Sequence, residues 1–168
     1  MSPCCKRKGP RVTISLLVGC IALMGCPGGD SAREMDAATS MSAPLSHCAD
    51  DPRALTYVPG LEQTGTEGLI HFTLLKSDPA PLIKGTNTWQ IGLADESGHS
   101  IKDAEITTTP YMPDHGHGTS IVPRATAQDG GYEITPLYLY MGGIWEMTIS
   151  AKTEAVEDSA VFTFCIPD

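Results

Sequence analysis

The sequence predicts an all-β protein, an immunoglobulin-like β-sandwich of about seven or eight short strands preceded by a signal peptide and a flexible tether. Three observations carry that expectation. From Ala54 onward, runs rich in β-branched and aromatic residues recur at a spacing of roughly ten residues. Turn-forming residues punctuate the gaps, as in Pro59-Gly60, Ser77–Pro81, Glu96–His99 and Gln128–Gly131. No stretch after Cys26 combines a helical apolar period with helix caps.

At the N-terminus, Lys6, Arg7, Lys8 and Arg11 precede an apolar run from Val12 to Met24, which ends in Leu23-Met24-Gly25-Cys26. The run is short for a permanent span and has the layout of an export signal. Here the chain resembles bacterial lipoprotein precursors, in which a small residue precedes a cysteine that is lipidated and becomes the new N-terminus after cleavage. Gly25 and Cys26 occupy those positions. The resemblance implies a signal peptide over residues 1–25, lipidation of Cys26, and a membrane anchor in the bacterial cell envelope with the domain outside the cytoplasm. Pro27, rather than Asp, follows the cysteine, which by the sorting rule of enteric bacteria favours the outer membrane over the inner. Residues 26–46, rich in Gly, Ala, Ser, Asp and Met without an apolar period, read as the tether, and residues 47–168 as the domain.

Cleavage before Cys26 removes four of the 11 basic residues and none of the 20 acidic ones, leaving a formal charge of 7 − 20 = −13. So acidic a surface argues against a nucleic-acid partner, keeps an exported domain soluble, and is compatible with attracting cations. Export also decides the cysteines. Cys4, Cys5 and Cys20 lie in the discarded segment and Cys26 takes the lipid, so Cys48 and Cys165 remain to pair in an oxidising compartment. Their bond closes a loop of over a hundred residues, which chain-entropy models value at about 4–5 kcal/mol before strain. The close C-x-x-C spacing of redox or metal-binding cysteine pairs is not present.

Within the domain, Ala54–Val58 is a candidate first strand and Gly68–Leu75 the next. Asn87–Asp95 alternates, with Trp89, Ile91 and Leu93 on one face, so it reads as a half-buried strand. Ala104–Thr109 is a further β-branched run. Tyr132–Met141 is long but contains Pro136, which cannot donate to a ladder; an edge strand, or two short strands meeting at a bulge, is expected. Ile144–Ala151 alternates again, with Trp145, Met147 and Ile149 on one face, and Ala160–Ile166 closes the domain. Trp89 and Trp145 are the expected centre of the core.

Three segments stand in order: Trp89–Asp95 with its Gly98 turn, Met112-Pro-Asp-His-Gly-His-Gly118, and Tyr132–Leu137 followed by Met141-Gly-Gly-Ile-Trp-Glu-Met147. Over residues 86–152 this order resembles the YtkA-like family, small exported bacterial β-sandwich domains with a Met-Pro, His-Gly turn and a Met, Gly, Trp strand start. Some such domains occur beside copper-handling functions, so the resemblance implies metal handling.

The bend from Thr109 to Thr119 holds the densest chemistry of the chain. His115 and His117, two apart on an extended backbone, face one side and make a candidate metal edge. Met112 is the candidate thioether ligand; Met141, Asp114, His71 and His99 are others that the fold would have to deliver. Imidazole with thioether favours copper, whereas two imidazoles alone also serve zinc. In the competing structural reading, the glycines satisfy backbone demands, Met112 plugs the core end, and the histidines bond backbone carbonyls. Catalysis is not expected, because there is no nucleophile elbow, phosphate loop or nucleotide fingerprint. The expected function is a non-enzymatic binding module with copper as candidate cofactor. The alternative is a structural or protein-interaction sandwich with an envelope protein as partner.

Overall fold

The computed structural model describes residues 48–168. The expected signal peptide (1–25), the lipid site Cys26, the tether and His47 lie outside the described residues. Alternation of buried and exposed side chains runs through nearly every element and sets the architecture. The described residues form nine strands: β1 (Leu61–Thr64), β2 (Ile70–Asp78), β3 (Gly85–Asp95), β4 (Glu105–Met112), β5 (His117–Gly118), β6 (Arg124–Gln128), β7 (Gly131–Leu139), β8 (Gly143–Lys152) and β9 (Glu157–Ile166). The described residues contain no helix.

The strands form two antiparallel sheets, ordered β1-β2-β3-β7-β6 and β5-β4-β8-β9. Leaving out the short β1 and β5, the remaining seven make a four-stranded sheet, β2-β3-β7-β6, and a three-stranded one, β4-β8-β9. That is the strand order of the immunoglobulin constant-type sandwich. The expected all-β, immunoglobulin-like fold is therefore what the chain adopts, with two short additions at sheet edges.

Between the sheets lies the core. The β3 face named above, Trp89, Ile91 and Leu93, and the β8 face, Trp145, Met147 and Ile149, are all buried. Trp89 crosses the gap edge-on to Phe162 and Phe164 of β9, with ring centroids 5.8 and 5.7 Å apart. Edge-to-face contacts of this kind add to the burial of large rings, which is the main favourable contribution to folding here.

Two strand expectations are corrected. Ala54–Val58 is not a ladder strand. It is a strap: Leu55 N–H donates to the Thr163 carbonyl of β9, and the Ser77 N–H of β2 donates to Tyr57 Oη at 2.9 Å, so the segment bonds to both sheets. The strand containing Pro136 is not at an edge, since β7 runs between β3 and β6. The bulge half of that expectation holds. Asn87 pairs with Leu137 and Trp89 with Ile134, so Thr88 alone faces Thr135 and Pro136. The β6 ladder ends at Thr135, so the missing N–H of Pro136 costs no regular ladder bond on either side.

Cys48 and Cys165 are joined by a disulfide that ties the first described residue to β9. At the far end of the sandwich, the Asp158 carboxylate accepts hydrogen bonds from the backbone N–H groups of Glu67, Leu69, Ile70 and Ser159 at 2.8 to 3.1 Å. It thereby pins the β1–β2 turn onto β9.

Candidate functional site

The bend begins where β4 ends. Met112 O accepts hydrogen bonds from the N–H groups of His115 and Gly116, which turns the chain back so that β5 pairs with Tyr111 and Met112. Glycine is required twice. Gly116 has φ 70°, and a Cβ on Gly118 would lie 2.5 Å from the Pro110 carbonyl oxygen. His115 thus sits in the turn and His117 on β5, and the turn rather than an extended backbone brings them together. Their ring centroids are 5.6 Å apart, tilted by 42°.

Met112 lies apart from the histidines. It is fully buried in the core, and its Cε lies so close to Gly143 that a Cβ there would meet it at 2.8 Å. Gly143, the first residue of β8, therefore makes room for this methionine. Asp114 is also engaged elsewhere. Arg53 Nη1 and Nη2 each donate to its carboxylate at 2.8 Å, while Nε and Nη2 of the same guanidinium bond Asp51 at 3.0 and 2.7 Å. These hydrogen bonds from Arg53 hold the Asp114 carboxyl below its ordinary range, and hold Asp51 at about 2. A carboxylate gripped by both arms of a guanidinium is a poor recruit for a metal.

His71 and His99 are at the other end of the molecule. His71 pairs with Ala94 and His99 N–H bonds the Asp95 side chain, both at the end of β3 remote from Gly85. Met141, in contrast, is delivered. It follows β7 and lines a recess of about 300 Å³ together with His115, Asp51, Asp114 and Asp168.

Tyr140 joins the histidines through the fold. Its Oη lies 2.8 Å from His117 Nδ1, the two rings stack at 5.7 Å, and Tyr140 meets the buried Trp145 edge-on at 5.6 Å. Trp145 is itself fixed by donating from Nε1 to the Met141 carbonyl at 3.0 Å. No local sequence signal marks Tyr140, because it stands 23 positions from His117 and only the fold closes that distance. Among the described residues no three His, Cys, Asp or Glu side chains are grouped as a metal ion needs. What the bend offers is two imidazoles, with Met141, packed against the core, on the recess that His115 also lines.

Residues 69–150 match the model of the YtkA-like family. They form a YtkA-like domain. The match spans β2 to most of β8 and contains the whole bend, Tyr140 and Met141. It leaves out β9 and the disulfide, so the staple lies outside the matched residues. No curated protein and no solved structure is found similar to the chain.

Proposed function

We propose that this chain is a non-enzymatic binding module of the bacterial cell envelope, anchored through a lipid on Cys26, whose bend takes a copper ion between His115 and His117. The observation that carries the reading is the 5.6 Å spacing of the two rings. A metal held at about 2 Å by an imidazole nitrogen lies roughly 3 Å from the ring centre, so two rings sharing one ion sit about 5–6 Å apart. Both histidines are at or near the surface, where an ion can reach them. The third ligand best placed is Met141 rather than the buried Met112, and a thioether beside imidazoles favours copper over zinc. The acidic surface supports the reading by raising the local concentration of cations.

Titration of the processed, disulfide-bonded protein, freed of the segment that carries Cys4, Cys5 and Cys20, with Cu(II), Cu(I) and Zn(II) tests it. Saturable one-to-one copper binding that is lost in His115→Ala/His117→Ala is the expected result. Binding that survives the double substitution, or none tighter than about 10 μM, roughly −7 kcal/mol, overturns the site.

A second reading, a protein-interaction sandwich without metal, is favoured by a different observation. Tyr111, Ile121 and Val122 are exposed together along one groove of about 230 Å³ between β4 and the segment leading to β6. Absence of metal binding turns attention to that face and to an envelope protein as its partner.

A further inference from the structure

We infer that the outer edge of β6 docks a second copy of this chain, the two copies pairing antiparallel about Thr126 so that one sheet continues into the next. The inference is independent of the copper reading, and rests on the second reading only for the exposed Ile121 and Val122.

β6 ends the five-stranded sheet, and four of its five residues, Arg124, Thr126, Ala127 and Gln128, are exposed. The turn after it tells which backbone groups are free. Asp129 and Gly130 join Gln128 to its partner Gly131, and a two-residue turn closes on a hydrogen-bonded pair. Gln128, Thr126 and Arg124 therefore direct their N–H and C=O groups towards β7, while Ala125 and Ala127 direct theirs outward. Among the described residues no hydrogen bond meets those outward groups. The edge of β9 is treated differently, since the N–H groups of Leu55 and Thr66 cap its Thr163 and Ser159 carbonyls. An open edge with neither charge nor proline from Ala125 to Gln128 is a template for another strand.

Charge names the occupant. The processed chain carries −13, so two copies repel over most of their surface. Of the strands that end the sheets, β1 and β9 carry carboxylates and β5 has only two residues; β6 has no carboxylate. Arg124 forms no ion pair among the described residues, and neither does Asp129 in the adjoining turn. Antiparallel pairing about Thr126 sets Ala125 of each copy against Ala127 of the other, each pair exchanging both backbone bonds. It sets Thr126 against its counterpart, a favourable cross-strand pair. Arg124 then lies against Gln128 of the second copy, beside Asp129, so the seam joins unlike charges. Ile121 and Val122, 39% and 75% exposed, lead into β6 and come alongside the second copy's turn. A seam this short buries less than the roughly 1,200 Å² of a stable complex, which makes the dimer weak and concentration-dependent.

Sedimentation of the processed, disulfide-bonded protein over a range of concentrations tests the seam, and a monomer–dimer equilibrium is expected. Ala127→Pro removes an outward N–H and no bond of the β6–β7 ladder. It should weaken the dimer at least about 10-fold with unfolding unchanged. Arg124→Glu should weaken it as well, and Arg124→Glu/Asp129→Lys should restore it. Thr126→Cys should link two copies through a new disulfide under mild oxidation, and Gln128→Cys should not. A protein that stays monomeric up to about 1 mM overturns the proposal. So does a dimer that Ala127→Pro leaves intact and that links no better at residue 126 than at 128. Should the Pro variant unfold, Arg124→Glu and its rescue carry the test, and a dimer indifferent to both overturns the seam. Each of these failures leaves the groove beside β4 open to a different protein and the copper titration untouched.

Discussion

The two ends of the sandwich treat their polar groups in opposite ways. At the β1–β2 turn, the Asp158 carboxylate is only 3% exposed and is consumed by four backbone N–H groups of its own chain. At the bend, Asp114 is held by the side chain of Arg53, but His115 and His117 are left at or near the surface. A buried group whose hydrogen bonds are all internal is architecture, since removing it leaves several donors stranded. Groups with capacity to spare, held in place by neighbours that have none, are what a ligand can use. Arg53 and Tyr140 are the holders at the bend.

Three changes break or sharpen this contrast, in falling order of effect on stability. Removing the staple should cost most. Cys48→Ala/Cys165→Ala opens a loop spanning 117 positions, worth on the order of 4 kcal/mol by chain entropy. Chemical denaturation should show it as a lower midpoint with both ends affected. Midpoints within 1 kcal/mol of each other would mean that the unfolded chain is little constrained by the bond.

Asp158→Asn comes next, at about 2 kcal/mol, because an amide brings donors against donors. Burial alone would raise the carboxyl's pKa, but the N–H groups of Glu67, Ser159, Leu69 and Ile70 outweigh it and the net direction is down. A depressed native pKa means stability that is present above the ordinary 3.8 and lost as pH falls through the native value. The unsubstituted protein should therefore lose stability progressively below about pH 4, and the Asn variant should show a shallower loss in that range. Parallel pH profiles for the two would remove Asp158 from the account.

Smallest is His115→Ala/His117→Ala. Surface substitutions of this kind shift stability by no more than about 0.5 kcal/mol. Unfolding midpoints should match, while copper binding does not. A large loss of stability would place the histidines with Asp158, as architecture.

Alternation made β3, β8 and β9 readable from the sequence, because one face of each is buried and the period of two shows directly. The two Trp residues were readable for the same reason. Pro136 misled in position but not in consequence: a missing N–H can be accommodated at a bulge in an interior strand as well as at an edge. β1 and β5, at four and two residues, are too short to carry a period at all. At the site, His115 and His117 stand out because they are near neighbours in sequence. Met141 and Tyr140 arrive from β7, and Arg53 from 61 residues away, through pairings that no local pattern encodes. Met112 carried the right chemistry for a ligand, but its alternation within β4 puts it on the core face.

The disulfide has a mechanical consequence as well. Tension arriving along the chain from residue 47 and taken up at Ile166 passes through the sulfur–sulfur link and one peptide step of β9, bypassing everything between. The sandwich and its bend hang beside that line of force rather than within it, so a pull along the chain leaves the two imidazoles unloaded.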